Sequence, residues 1–239
     1  MRAARMVAAT GLLLSGLAWH GPAAAATAAG AMGTGIVRTA LVLTLVAVVP
    51  AMLVSMTSFI RIVIVLSMVR HAFGMPETPP NPVLVSLALF LTAFTMSPTL
   101  TALNAQALQP LLAGRLDVEQ AMAHGSVPLR NFMLAQTRDD DIEAIYAIAK
   151  APVPDRPEQV EILKLAPAFI LNELRVSFTI GFVILLPFLL IDLVVSAILL
   201  SLGMMMVPPA TISLPIKILM FVLIDGWSLV IGGVLGSFK

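Results

Sequence analysis

The sequence predicts an all-α integral membrane protein built of long, bent helical hairpins. Of its 239 residues, 59% are hydrophobic and only 11% are charged, and the mean hydropathy is +1.00. Soluble domains carry roughly a quarter charged residues, so this composition belongs to a membrane protein. The charges are also unevenly placed, because 17 of the 27 charged side chains lie between Arg115 and Arg175. The chain therefore divides into apolar helical segments and one polar segment.

Residues 1–26 are typical of a cleavable secretory signal. Arg2 and Arg5 precede an apolar core, and the alanines at 24–26 offer the small residues that a signal peptidase needs. An uncleaved anchor is the alternative, but the apolar stretch is short for a span and ends in Gly-Pro. We therefore expect a bacterial envelope protein whose mature N-terminus starts outside the cytoplasm.

Residues 27–98 predict a first apolar helical hairpin. A straight helix from Ile36 to Phe73 would be roughly 57 Å long, which is nearly twice the hydrocarbon thickness of a bilayer. Either the run breaks at residues 55–58 and its second part is buried among protein neighbours, or one bent helix passes the bilayer edge. Under the positive-inside rule, Arg61 and Arg70 favour the cytoplasmic side of the membrane for this part of the hairpin.

The two arms of this hairpin are predicted to differ in length. Residues 74–82 contain four prolines and predict a turn. The second arm, Val83 to Met96, has about 14 residues and is short for crossing a bilayer alone. Ser97 and Pro98 are expected to end it.

Residues 99–176 predict a polar, largely helical segment on the periplasmic side. Asp117 is placed to cap a helix that reaches His124, and Pro128 fits the first turn of another helix. The carboxylates at 139–141 favour a helix N-terminus, where the dipole stabilises them, over a cation site. Glu173 and Arg175 stand where the following helix becomes apolar, so they predict either a solvated mouth or a subunit contact.

Residues 177–239 predict a second apolar hairpin with a methionine-rich loop. Its first arm carries Pro187, which predicts a bend. Breaks in the helix are predicted at Pro187, Gly203, Pro208 and Pro209. Met204, Met205 and Met206 lie between Gly203 and Pro208. Three consecutive residues point in three directions about a helix, so they do not form one packing stripe. Several copies around an axis would turn them into a ring of flexible thioethers.

Asp192 and Asp225 are carboxylates inside apolar sequence and therefore need partners, because burying them unpaired in hydrocarbon costs at least about 2.5 kcal/mol each. Asp192 can pair with Lys217 across the hairpin, or the two carboxylates can form a proton or ion relay. Asp225 follows Lys217 by eight residues in a predicted final helix from Ile216 to Leu235. That spacing places both on one face of the helix but too far apart for direct contact.

Catalytic and metal-site patterns do not emerge from the sequence. The three histidines are isolated, the chain has no cysteine, and no carboxylate pair has acid–base spacing. The sequence has no cluster of basic and aromatic residues, and its formal net charge is only +1. Both observations argue against nucleic-acid binding. We therefore expect a protein that is not an enzyme, has no cofactor, binds no nucleic acid and contacts membrane lipid.

Three long segments carry a family resemblance. They read MTSFIRIVIVLSMVRHAFGMPETPPNPVLVSLALFLTAFTMSP (56–98), PLRNFMLAQTRDDD (128–141) and LLPFLLIDLVVSAILLSLGMMMVPPATISLPIKILMFVLIDGWSLVIG (185–232). Together they resemble the FliP family of flagellar biosynthetic proteins. Ile145 and Asp139 depart from the commoner pattern, which has an aromatic residue and a glutamate at these positions.

This resemblance implies a subunit of the flagellar type III export gate in the bacterial inner membrane, at the flagellar basal body. About five copies would assemble with FliQ, FliR and FlhB into a helical cone and let unfolded flagellar subunits pass. It further implies that Met204, Met205 and Met206 form a gasket that closes the pore. We also place Phe132, Glu173 and Arg175 at subunit contacts. The alternatives are the homologous gate of virulence injectisomes, or an ion or proton transporter that uses Asp192 and Asp225.

Overall fold

A computed structural model of the chain describes residues 43–44, 47, 54–75 and 77–239. The chain divides into two compact units, Met1–Ala51 and Met52–Lys239. Of the first unit, the described residues 43, 44 and 47 are helical. The predicted signal at 1–26 lies outside the described residues, as does most of the apolar run before residue 54.

Within the described residues of the second unit, every regular element is helical and there is no strand. From residue 56 onward, the described residues form nine α-helices, in order α1 (Phe59–Ala72), α2 (Asn81–Thr95), α3 (Ser97–Leu103), α4 (Gln109–Leu112), α5 (Val118–Gln136), α6 (Asp139–Ile148), α7 (Ile162–Ser201), α8 (Pro209–Leu223) and α9 (Gly226–Leu235). A π-helical turn, Asn104–Leu108, joins α3 to α4, and a 3-10 turn, Pro157–Gln159, precedes α7. The all-α prediction is confirmed for this part of the chain.

The first hairpin breaks before α1, at residues 56–58. Five apolar side chains of α1 are buried within the chain: Ile62, Val65, Leu66, Val69 and Ala72. The break therefore matches the alternative in which the second part of the apolar run is buried among protein neighbours. Helix α1 crosses α7 closely at Gly181, where an added Cβ would overlap the side chain of Met68.

The second arm of the first hairpin, α2, ends at Thr95, next to the predicted end at Ser97 and Pro98, but a new helix that was not predicted begins at once. The chain bends by 66° after α2 and continues as helix to Leu112. Pro98 lies in the first turn of α3, where its missing N–H has no helical acceptor to lose. One helix therefore ends and the next begins, in a new direction, at this point of the chain.

The polar segment contains one long helix where two were predicted. Asp117 caps α5 through a capping box, in which the Gln120 N–H donates to Asp117 Oδ1 over 2.8 Å. This cap was predicted, but the break near Pro128 is wrong because α5 continues to Gln136. Pro128 removes a single backbone hydrogen bond, and the 19-residue helix tolerates that loss. Helix α6 begins at Asp139 with its carboxylates in the first turn, as predicted.

Helix α7 is the longest element of the described chain, with 40 residues. Its length of about 60 Å exceeds a hydrocarbon layer of about 30 Å. By length and hydropathy it is the one described helix that could cross a membrane unbroken, and up to three spans result if each bent helix pair counts as one. Pro187 lies inside α7, so the helix does not end there.

Helices α8 and α9 meet at a bend of 67°. The predicted continuous helix from Ile216 to Leu235 is therefore wrong. The break falls at Asp225, whose φ of 50° lies in the left-handed region. Gly226 follows it, and any Cβ there would overlap the ring of Phe221. Lys217 and Asp225 consequently do not share a face of one helix.

Two buried clusters form the core of the second unit. The larger one joins α1, α2, α7, α8 and α9 around Phe73, Phe188 and Phe221. The ring centroid of Phe73 lies 5.3 Å from that of Phe188 and 4.8 Å from that of Phe221, both in edge-to-face geometry. The smaller cluster joins α5, α6 and the start of α7 around Met133 and Phe169. Helix α7 thus belongs to both clusters and links the polar segment to the apolar one.

Candidate functional site

The methionine loop, residues 203–208, connects α7 to α8. Gly203 has φ 74°, a conformation that glycine adopts without strain. The Met204 N–H donates to the carbonyl of Leu199 and the Gly203 N–H to that of Leu200, which is the Schellman pattern of a helix C-terminus. Pro208 is extended, and Pro209 opens α8. Gly203 and the two prolines therefore fix where both helices stop.

The three methionine side chains project from this loop with little support from their own chain. Their exposed fractions rise along the triplet, from 43% for Met204 to 79% for Met205 and 96% for Met206. Exposed methionines are unusual, because thioethers normally fill gaps in cores. The loop therefore offers three adjacent, flexible, apolar side chains to another copy, a partner or lipid.

An ion pair joins the two arms of the second hairpin. Lys217 Nζ lies 2.6 Å from Asp192 Oδ2 and also donates to the carbonyl of Ala72 over 3.2 Å. The Lys217 side chain is 7% exposed and that of Asp192 is 40% exposed. This pair is the one that the sequence offered as an alternative to a relay. It connects α7 and α8 to the C-terminal end of α1.

A cavity of about 250 Å³ adjoins the Asp192–Lys217 pair, between the turn after α1 and the start of α8. Phe73, Gly74 and Ser213 contribute to its wall. Asp225 does not line this cavity; it is exposed at the bend between α8 and α9, and its side chain makes no cap hydrogen bond. A proton relay through Asp192 and Asp225 stays a prediction.

A buried polar cluster, here called the Arg61 centre, consists of Arg61, Glu173, Gln136 and Ser237 and was not predicted from the sequence. Arg61 and Glu173 have side chains that are 2% and 0% exposed. Arg61 Nε lies 2.7 Å from Glu173 Oε2, and Nη2 lies 2.5 Å from Oε1. This bidentate geometry is the strongest form of an arginine–carboxylate contact. It ties α1 to α7 where the two helices pack.

The C-terminal residues complete the Arg61 centre. Arg61 Nη1 donates to the carbonyl and the hydroxyl of Ser237, over 2.8 and 3.0 Å. The ring of Phe238 covers the guanidinium, with its centroid 3.9 Å from Cζ. Gln136, at the end of α5, receives a longer contact from Arg61 Nη2 and donates to the carbonyl of Lys239. Three other parts of the chain, namely the end of α5, helix α7 and the C-terminal residues, therefore converge on one buried guanidinium of α1.

A sequence signal for the Arg61 centre existed. Arg61 and Glu173 are opposite charges in largely apolar surroundings, and such charges are almost always paired when buried. The positive-inside rule assigned Arg61 to a membrane flank, but the side chain is buried inside the chain. The sequence does not show that Arg61 and Glu173 pair with each other, because they are 112 residues apart.

Arg175 and Glu173 are two residues apart and have different partners. Arg175 makes a bidentate contact with Asp141, with Nη1–Oδ2 and Nη2–Oδ1 distances of 2.6 and 2.7 Å. Its side chain is 48% exposed, whereas that of Asp141 is 6% exposed. Phe132 packs edge-on against Phe169, with ring centroids 5.9 Å apart. All three predicted contact residues thus have partners within the chain, and their contact with another subunit stays a prediction.

In the part of the chain that the structure describes, no group of three His, Asp or Glu side chains is placed to hold a metal ion. The polar side chains of the candidate site are instead used in pairs that join helices. The arrangement can neutralise buried charge and present methionines at a helix turn.

Comparison with known proteins identifies the family. The FliP family model matches residues 42–234. Two proteins named flagellar biosynthetic protein FliP are similar over most of the chain. The protein from Pectobacterium carotovorum subsp. carotovorum is 50% identical over 189 residues, covering 79% of this chain and 73% of its own. The protein from Bacillus subtilis (strain 168) is 45% identical over 195 residues, covering 82% and 88%. The chain therefore belongs to the FliP family.

Proposed function

We propose that the protein is a core subunit of the flagellar type III protein export gate and forms the channel through which unfolded flagellar subunits cross the inner membrane. Family membership and the name of the relatives support a role in flagellar biosynthesis. The single observation that carries the channel role is the methionine loop, where Met205 and Met206 are 79% and 96% exposed at a helix turn.

Closure by methionines follows from their physical properties. A thioether side chain has three rotatable bonds and no strong hydrogen-bonding group, so it adapts to neighbours of varied shape. Met204, Met205 and Met206 of about five copies would form an apolar ring that excludes hydrated ions. The same ring would yield to an extended polypeptide, because its side chains can change rotamer without breaking hydrogen bonds.

Assembly with further copies, and with FliQ, FliR and FlhB, accounts for the apolar surface that the chain leaves uncovered. The second half of α7 exposes a run of large apolar side chains: Phe178, Phe182, Val183, Leu186, Leu189, Leu190, Leu193, Val194 and Ile198. Helix α2 exposes Phe90 and Phe94 at 70% and 75%. A helical cone covers such faces with neighbouring subunits, and membrane lipid covers the remainder. In this arrangement the polar segment lies on the periplasmic side, at the flagellar basal body.

The buried charges act as structural ties in this proposal. Lys217 and Arg61 each face a carboxylate at hydrogen-bond distance, so neither charge is left alone in apolar surroundings. The gate subunit is then passive, and other proteins supply the energy for export.

A single introduced thiol tests the channel role, since the chain has no cysteine of its own. Met205→Cys is compared with Leu112→Cys, whose parent side chain is similarly exposed at 77% but lies in the polar segment. A bulky thiol reagent added during secretion is expected to label both sites and to stop export only for Met205→Cys. Continued export after complete labelling of Met205→Cys would overturn the proposal.

A further inference from the structure

A groove in the polar segment has no role in the proposed channel. It lies between α6 and the connection that leads to α7, and its volume is about 340 Å³. Leu134, Ile142 and Val160 contribute apolar side chains, and two of these, Ile142 and Val160, are buried. Val153 forms part of the wall and is 48% exposed. This volume is at the small end of ligand pockets and suits one or two apolar side chains.

Three carboxylates stand around this apolar groove. Asp139, Glu143 and Asp155 are exposed members of its lining, and no basic side chain lines it. Among the described residues, none of the three forms an ion pair, whereas the nearby Arg138 is paired with Asp140. Arg130 is also engaged, since it donates to the carbonyl of Glu158. The groove therefore combines an apolar surface with three carboxylates that no basic side chain pairs, although the exposed Arg156 follows Asp155 in the chain.

We propose that this groove is a docking site for a short basic–apolar segment of another protein. An apolar side chain of the segment would enter between Ile142 and Val160, and flanking lysines or arginines would face the carboxylates. Charge complementarity of this kind guides encounter and selects partners, while the apolar contact supplies affinity. A metal ion is a poor occupant, because the three carboxylates form no ligand group and the lining between them is apolar. The inference goes beyond the channel role and does not depend on it.

A peptide library tests the proposal on the full-length protein in nonionic detergent. Fluorescent eight-residue peptides carry one central Leu, Val or Phe, flanked by lysine and arginine in one set and by glutamate and aspartate in the other. The basic set is expected to bind and the acidic set is not. Neutralising the rim by Asp139→Asn, Glu143→Gln and Asp155→Asn together is expected to weaken binding about fivefold or more, since each exposed charge pair contributes modestly.

A control variant distinguishes the loss of the groove carboxylates from a general loss of negative charge. Glu77→Gln with Glu119→Gln also removes exposed carboxylates, but neither residue lines the groove, so binding is expected to stay unchanged. If the triple variant does not fold, Val153→Lys replaces it, because this exposed side chain can gain a repelling charge without disturbing the core. Equal binding of both peptide sets, or unchanged binding by the rim variant, overturns the proposal. The proposal is also overturned if the unaltered protein binds no peptide and the rim variant assembles with fewer copies in native mass spectrometry. That result would assign the groove to a second copy of the chain.

Discussion

Glu173→Gln is the sharpest test of the Arg61 centre. The substitution keeps the size of the side chain and one acceptor oxygen, but it removes the negative charge that faces a guanidinium with a 2% exposed side chain. Removing one partner of a buried ion pair costs about 3 to 5 kcal/mol, because the remaining charge is left uncompensated. The contacts of Arg61 with Ser237 persist, so we expect the lower end, about 3 kcal/mol. For a chain of this length, that loss lowers the midpoint of thermal unfolding by about 6 to 12 °C.

The assay follows helix content by far-UV circular dichroism while the purified protein is heated in detergent. Asp140→Asn is the matched control, because it removes a carboxylate from an arginine pair whose side chains are 55% and 76% exposed. That pair contributes about 0 to 1 kcal/mol. A double variant, Arg61→Met with Glu173→Met, removes both charges and is expected to recover at least half of the loss. The reasoning is refuted if Glu173→Gln shifts the midpoint no more than the control does, or if the double variant is no more stable than the single one.

Three other predictions concern the apolar hairpins. Gly181→Ala places a methyl group against Met68 and is expected to destabilise the protein by about 1 to 3 kcal/mol in the same unfolding assay, with Met68→Ala restoring part of the loss. Asp192→Asn leaves Lys217 without a charged partner, so yield of assembled complex and secretion should fall together; normal assembly with loss of proton-coupled flux in liposomes would instead favour a transporter. Replacing Met204, Met205 and Met206 by alanine should leave assembly intact but let small ions leak through the closed gate, and an unchanged ion conductance would count against closure by this loop.

Local signals in the sequence predicted much of the structure. The hydrophobic composition and the confined charges indicated an all-helical membrane protein, and Asp117 indicated a helix N-terminus that the structure confirms. Gly203, Pro208 and Pro209 marked the loop at which α7 ends and α8 begins. These features depend on neighbouring residues, so a single sequence contains the information that determines them.

Proline was the less reliable signal. Helix breaks were expected near Pro128 and at Pro187, yet α5 and α7 continue through them. The predicted bend at Pro187 stays a prediction. A proline removes one hydrogen bond, and tertiary packing on either side can outweigh that cost. Conversely, the break between α8 and α9 falls at Asp225, inside an apolar run without proline. The sequence offered only the Asp225-Gly226 pair there, which is typical of turns.

Apart from the Asp192–Lys217 pair, which the sequence offered as one alternative, pairings between distant residues could not be predicted from the sequence. Glu173 and Arg175 stand two positions apart, but their partners, Arg61 and Asp141, come from different helices. One sequence specifies that buried charges need partners without specifying which charges meet. The docking groove is likewise a product of tertiary structure, since its acidic residues come from α6 and from the proline-rich connection after it.

A stalled export substrate can show whether a polypeptide passes the methionine loop. A photo-crosslinking amino acid replaces Met205 in one variant and Leu112 in another, two similarly exposed positions in different segments. A flagellar subunit fused to a domain that cannot unfold is then arrested in the gate. The account predicts a covalent adduct with the substrate at Met205 and little or none at Leu112. An arrested substrate that crosslinks no better at Met205 than at Leu112 would contradict it.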